Sequence, residues 1–101
     1  MSTGRPGHLV ILEARRGREN ALAEFLASGL ALAARESGIE RWYAFRISSN
    51  HFGIYDTFVD SEARDAHLSG ALARALEAVT EDLLVRPAEI RPLDVVAAKP
   101  A

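Results

Sequence analysis

The chain has 101 residues, of which 49% are hydrophobic, and its 12 basic and 14 acidic side chains are intermixed. That length supports one domain with one modest core, and the balanced charge leaves no basic stripe for nucleic acid. Cysteine is absent, which excludes disulfides, thiolate metal sites and a cysteine nucleophile.

"HLVILEA" (8–14) is an apolar run between Gly7 and the charged turn "RRGREN". It predicts a strand buried on both faces. From about Glu19 to Glu36 the apolar spacing is helical, with Leu22, Phe25, Leu26, Gly29, Leu30 and Ala33 in one stripe. "ESGIE" ends this helix, with Gly38 suited to the position past its C-terminus. "RWYAFRI" (41–47) and "FGIYDTF" (52–58) are aromatic-rich strands around "SSNH", which predicts a hairpin.

Asp60 is a good N-cap for the next helix, and Glu62 follows in its first turn. Gly70 breaks that helix, and Leu72, Leu76, Val79 and Leu83 share one face of the segment that follows. The last strand spans about 89–97, with Pro92 suited to an edge or a bulge. The domain is expected over 8–97, with flexible termini at 1–7 and 98–101. "MSTGRPG" lacks the apolar run of a secretory signal, and no run approaches the roughly 20 residues of a membrane span. The expected partners therefore exclude membrane and nucleic acid, and the expected location is the cytoplasm.

The order β-α-β-β-α-β predicts an α+β, ferredoxin-like fold: a four-stranded antiparallel sheet with its helices on one face. The other sheet face is then uncovered, although "LVIL" and "DVVAA" are apolar on alternate positions. A homodimer formed through that face would remove it from water.

A two- or four-residue hairpin loop sets Tyr43 opposite Asp56, Phe45 opposite Ile54 and Arg41 opposite Phe58. Trp42 then lies on the other face. A three-residue loop would break this alignment. Asp56, among aromatics, needs a partner or its pKa rises; Tyr43 could donate a hydrogen bond and Arg41 a charge. It could instead anchor a helix N-terminus or an arginine. Gly53 leaves space for a ligand or another backbone. His67 lies two turns into its helix, and small Ala63 leaves room beside the ring. It is either a half-buried residue bonded to a carboxylate or a proton-exchanging group. His8, His51 and His67 show no metal-ligand spacing, so no metal is expected.

Three stretches carry a family resemblance: "HLVILEARRGREN", "FLASGLALAARESGIERWYAFR" and "FGIYDTFVDSEARDAHLSGALARAL". Across residues 8–97 they resemble the antibiotic biosynthesis monooxygenase superfamily, which includes quinol monooxygenases. The resemblance implies two ferredoxin-like subunits paired sheet to sheet into a dimeric α+β barrel, each with a pocket between its sheet and helices. It implies oxidation of a small aromatic phenol or quinol by O2, with no flavin or metal cofactor, because the substrate supplies the electrons. In that chemistry His67, Asp56 and Tyr43 would move protons or polarise the substrate, while Phe58, Phe45, Trp42 and Arg41 would bind it. Many members carry tryptophan where this chain has Phe58. Haem-degrading relatives use a histidine in the last helix, and "GALARALEAVTEDLLV" has none. The rival readings are a non-catalytic small-molecule-binding or stress-associated dimer, and a non-oxidative enzyme resembling muconolactone isomerase.

Overall fold

The computed structural model describes residues 4–99. The elements run β1 (Arg5–Glu13), α1 (Glu19–Arg35), β2 (Ile39–Arg46), β3 (His51–Phe58), α2 (Ser61–His67), α3 (Ala71–Leu83) and β4 (Glu89–Val95). The sheet order is β2-β3-β1-β4, with every neighbouring pair antiparallel. This is the ferredoxin-like α+β fold the element order predicts: β3 splits the β1-α1-β2 unit, and β4 adds to the far edge. Pro92 sits on that edge strand, where a missing N–H costs no ladder bond.

β1 starts at Arg5, ahead of the apolar run, because Gly7 pairs with Thr57 on one side and Leu93 on the other. Residues 5–7 are therefore strand rather than flexible terminus. Residues 1–3 of that expected terminus and the last two residues of the other lie outside the described residues. β4 ends at Val95, short of the expected 97, and residues 96–99 form no regular structure.

The helices bury one face of the sheet. Val10 and Leu12 from β1, Phe52 and Ile54 from β3, Leu22 and Leu26 from α1, and Leu83 and Leu84 at the end of α3 form the core. Full burial of each such side chain is worth roughly 1.5–3 kcal/mol. The α1 stripe buries Leu22, Leu26, Gly29 and Ala33 as expected. Leu30 turns out to be 58% exposed, since it follows Gly29 by one residue and so turns about 100° off the stripe. β1 is not buried on both faces either: Leu9 and Ile11, between the buried His8, Val10 and Leu12, are only half-buried.

The hairpin departs from the expected register. Ile47 donates its N–H to the His51 carbonyl at 2.8 Å, so the loop is the three residues Ser48–Asn50. Trp42 therefore pairs with Asp56, Tyr43 with Tyr55, Ala44 with Ile54 and Phe45 with Gly53. Slipping by one residue exchanges the faces of β2. Trp42 joins Asp56 and Ile54 beneath the helices, while Arg41, Tyr43 and Phe45 lie on the open face. The space over Gly53 is taken by the Phe45 ring, whose atoms come within 2.5 Å of where a Cβ would stand. Arg41 pairs with Thr57 across a register shift between Ile39 and Arg41.

Candidate active site

The site is built on one cross-strand row. Trp42 pairs with Asp56, Asp56 with His8, and His8 with Pro92. Paired residues on neighbouring strands point to the same face, here the face beneath the helices. His67, at the end of α2, descends onto this row. The Asp60 carboxylate accepts the Ala63 N–H at 2.8 Å and caps α2. Gly38 lets α2 settle against the start of β2, since a Cβ there would stand 2.8 Å from the Ala63 Cβ.

Asp56 is 1% exposed, and neither carboxylate oxygen makes a hydrogen bond to another protein group. It anchors neither a helix N-terminus nor an arginine. Its neighbours are the His67 Nε2, 3.5 Å from Oδ2, and the His8 Nδ1, 4.0 Å from Oδ1. Burial pushes its pKa from 3.8 up to about 6, against the downward pull of His67 and of the backbone N–H groups of His8 and Asp56, which approach the carboxylate without reaching hydrogen-bond geometry. His8 is held below its ordinary 6.5, first by burial and then by the charge of His67. The other nitrogen of His67, Nδ1, donates to Glu36 Oε2 at 2.6 Å, because a carboxylate can only accept. The Phe58 ring closes the group, 5.1 Å from His67 and 5.4 Å from His8 between centroids.

Asp56, His67, His8 and Trp42 line one end of an otherwise apolar cavity of ≈ 40 Å³ completed by Leu26, Gly29, Ile54, Leu72, Leu76 and Ile90. Trp42 Nε1 is also buried without an acceptor. The cavity thus ends beside an unused acceptor, Asp56. Its volume has room for a few waters and falls short of the about 150 Å³ that holds a benzene ring. Leu68, Ala73, Leu76 and Ile90 also line a groove of ≈ 600 Å³ between α3 and β4. Leu68 and Ile90 are 50% and 45% exposed and stand between groove and cavity.

Of the seven residues singled out in the sequence, Asp56, His67 and Trp42 line the cavity, with Phe58 packed against the histidines. Tyr43 does not face Asp56. It lies on the open face, stacked on Tyr55 at 6.1 Å between centroids. Phe45 and Arg41 lie on that face too, away from the cavity. His8 and Glu36 join the group without having been singled out. His8 alternates with Val10 and Leu12, a signal that becomes useful only once β1 is paired to β3. Glu36 carries a fainter signal, an acid at the negative end of a helix. Among the described residues no group of histidines and carboxylates is disposed to hold a metal.

A solved structure of a protein of unknown function from Nitrosomonas europaea is 44% identical in sequence, with 97% of this chain and 96% of that one covered and a TM-score of 0.92. The chain belongs to the same family as that protein. A second protein from that organism, provisionally named an antibiotic biosynthesis monooxygenase, is 15% identical over 95% of each chain with a TM-score of 0.82. One from Bacteroides thetaiotaomicron, provisionally named likewise, is 18% identical over 95% of this chain and 91% of that one, with a TM-score of 0.72. The chain therefore has the antibiotic biosynthesis monooxygenase fold. No family model and no curated protein matches it.

Proposed function

We propose that this chain is the subunit of a homodimeric oxygenase that oxidises a small phenol or quinol with O2. The observation that carries the reading is the Asp56 carboxylate, buried without a hydrogen bond at the end of an apolar cavity and 3.5 Å from His67. A phenolic hydroxyl supplies what that end lacks. Its O–H donates to Asp56. A ring then extends between Leu72, Leu76 and Ile90 toward the groove.

Asp56 and His67 would act as a dyad that takes the phenolic proton and makes the ring electron-rich enough to meet O2. A quinol supplies all four electrons: one oxygen atom enters the ring to give a hydroxyquinone, and the other leaves as water. No electron-donating cofactor is needed for that balance. The apolar walls exclude bulk water from the reactive intermediate. In the dimer, the open sheet face of Leu9, Ile11, Tyr43, Phe45, Tyr55 and Leu93 would meet its counterpart, as in the barrel of the monooxygenase fold. A reducing cytoplasm suits a chain that carries no cysteine.

Oxygen uptake with a panel of quinols and phenols, wild type against His67→Ala, tests the reading. Turnover by the wild type and a loss of about 100-fold or more in the variant is expected, the usual contribution of a placed proton-transfer group. Equal turnover in both proteins removes His67 from the chemistry. No turnover with any of them favours the second reading, a binder of small apolar molecules, for which the apolar lining of the cavity and its neighbouring groove speaks.

A further inference from the structure

His67 stands between two cavities. Its inner side lines the ≈ 40 Å³ cavity with Asp56, and its outer side lines a cleft of ≈ 500 Å³ shared with Leu32, Glu36, Ala63 and Gly70. Glu36 reaches the ring from that outer cleft with its side chain 26% exposed, whereas Asp56 is 1% exposed. Glu36 is the C-cap of α1, where a negative charge opposes the helix dipole. The acid therefore does nothing for its own helix, and Arg35 supplies the favourable charge in the last turn. Room for the carboxylate comes from Gly70, where a Cβ would stand 3.0 Å from Glu36 Oε1. Two elements thus give up local stability or side-chain volume to bring Glu36 to His67.

We infer that Glu36 is a positioning residue that holds His67 as the Nδ1–H tautomer, keeps Nε2 open toward Asp56, and so makes the imidazole a proton store for the cavity. The inference rests on the proton transfer proposed above. The Glu36 carboxylate accepts Nδ1–H at 2.6 Å, so a neutral ring carries its lone pair on Nε2. A proton arriving through Asp56 passes to Nε2 and gives an imidazolium bonded to a carboxylate at each nitrogen. When O–O cleavage releases hydroxide, that same proton returns through Asp56 and completes the water. No proton is gained or lost over the cycle, as the overall stoichiometry requires. The arrangement works as the acid of a catalytic triad does, by fixing the tautomer and stabilising the imidazolium.

The titratable groups facing His67 are Glu36 after α1, Asp56 on β3 and His8 on β1, whose ring centroid is 6.2 Å away. Arg35, at the end of α1, lines the outer cleft with His67 and Glu36, and Arg64, one turn earlier on α2, donates to the Leu93 carbonyl at 3.3 Å. From α3 the contribution is apolar, through Leu72.

Long-range 1H–15N NMR of the imidazoles in the free protein tests the role and requires no substrate. In the wild type at pH 8, Nδ1 of His67 should carry the proton and Nε2 should not. Glu36→Gln offers Nδ1 a carbonyl that accepts or an amide N–H that donates, and should therefore mix the two neutral tautomers. Glu36→Ala should shift the neutral ring toward the Nε2–H tautomer. Gly70→Ala, which keeps every ionisable group and crowds Glu36 Oε1 at 3.0 Å and the His67 carbonyl at 3.3 Å, should shift the neutral ring toward Nε2–H by less than Glu36→Ala and holds the test open if Glu36→Ala fails to fold. The pure wild-type tautomer in both Glu36→Gln and Gly70→Ala would overturn the inference. A protein with no oxygenase activity still returns its tautomer, so failure of the functional reading and failure of this one are told apart.

Discussion

Asp56 is the most expensive residue of this core. A buried carboxylate without hydrogen bonds favours its neutral form, which is why it holds its proton to about pH 6 in the fold and releases it near 3.8 in the unfolded chain. The fold binds this proton more tightly than the unfolded chain does. Stability from this group is therefore present at low pH, falls as pH rises from about 4 to 6, and is fully lost above that. The difference amounts to on the order of 3 kcal/mol. Asp56→Asn should thus be more stable than the wild type at pH 8, by on the order of 1–3 kcal/mol, and should lose that advantage at pH 4. Urea unfolding at the two pH values measures it; a variant less stable at pH 8 would mean that the charge is satisfied after all. His8 works the other way, since a histidine held neutral by burial costs stability as pH falls below 6.5. Asp56 and His67 were legible in the sequence as polar residues set among apolar ones. His8 and Glu36 were not, because their meeting depends on a strand pairing and a helix end far apart in the chain.

At the scale of elements, three loop residues decide what the site contains. Ser48–Asn50 set the hairpin one residue away from the register that a two- or four-residue loop imposes. That slip brings Trp42 to Asp56 and sends Tyr43 to the open face. The element types were legible from periodicity and turn residues, but loop length was ambiguous because Ser and Asn suit several turns. The position of α2 depends on a close approach. Gly38→Ala would drive a methyl to 2.8 Å from Ala63 and push away the helix that carries His67. It should destabilise the fold by about 1–3 kcal/mol, the usual cost of overpacking, and weaken the contact between His67 and Asp56. Chemical denaturation measures the first effect, and an unchanged midpoint would show that α2 is free to shift. Ile90→Ala, on the half-exposed rim shared by cavity and groove, should raise the association rate of a fluorescent phenol at little cost in stability. An unchanged rate would place the mouth elsewhere.

Across the whole molecule, the ferredoxin-like arrangement leaves one sheet face without helices. The order of elements predicts that face, and the row Tyr43–Tyr55–Leu9 makes it apolar. A second copy would cover it. Sedimentation at micromolar concentration should give twice the 11.0 kDa chain mass, and Leu9→Lys, which sets a charge in that row, should give the monomer. A wild-type monomer would show that the face tolerates water.

The proposed chemistry requires that Asp56 and His67 exchange a proton with a ligand in the cavity. The most direct measurement is the pH dependence of kcat/KM for quinol oxidation, wild type against Asp56→Asn. For the wild type, kcat/KM should rise with pH through the region of 6 as the dyad loses its proton. In the variant it should fall by about 100-fold or more and lose that rising limb. The same rate and the same profile in both proteins would contradict it.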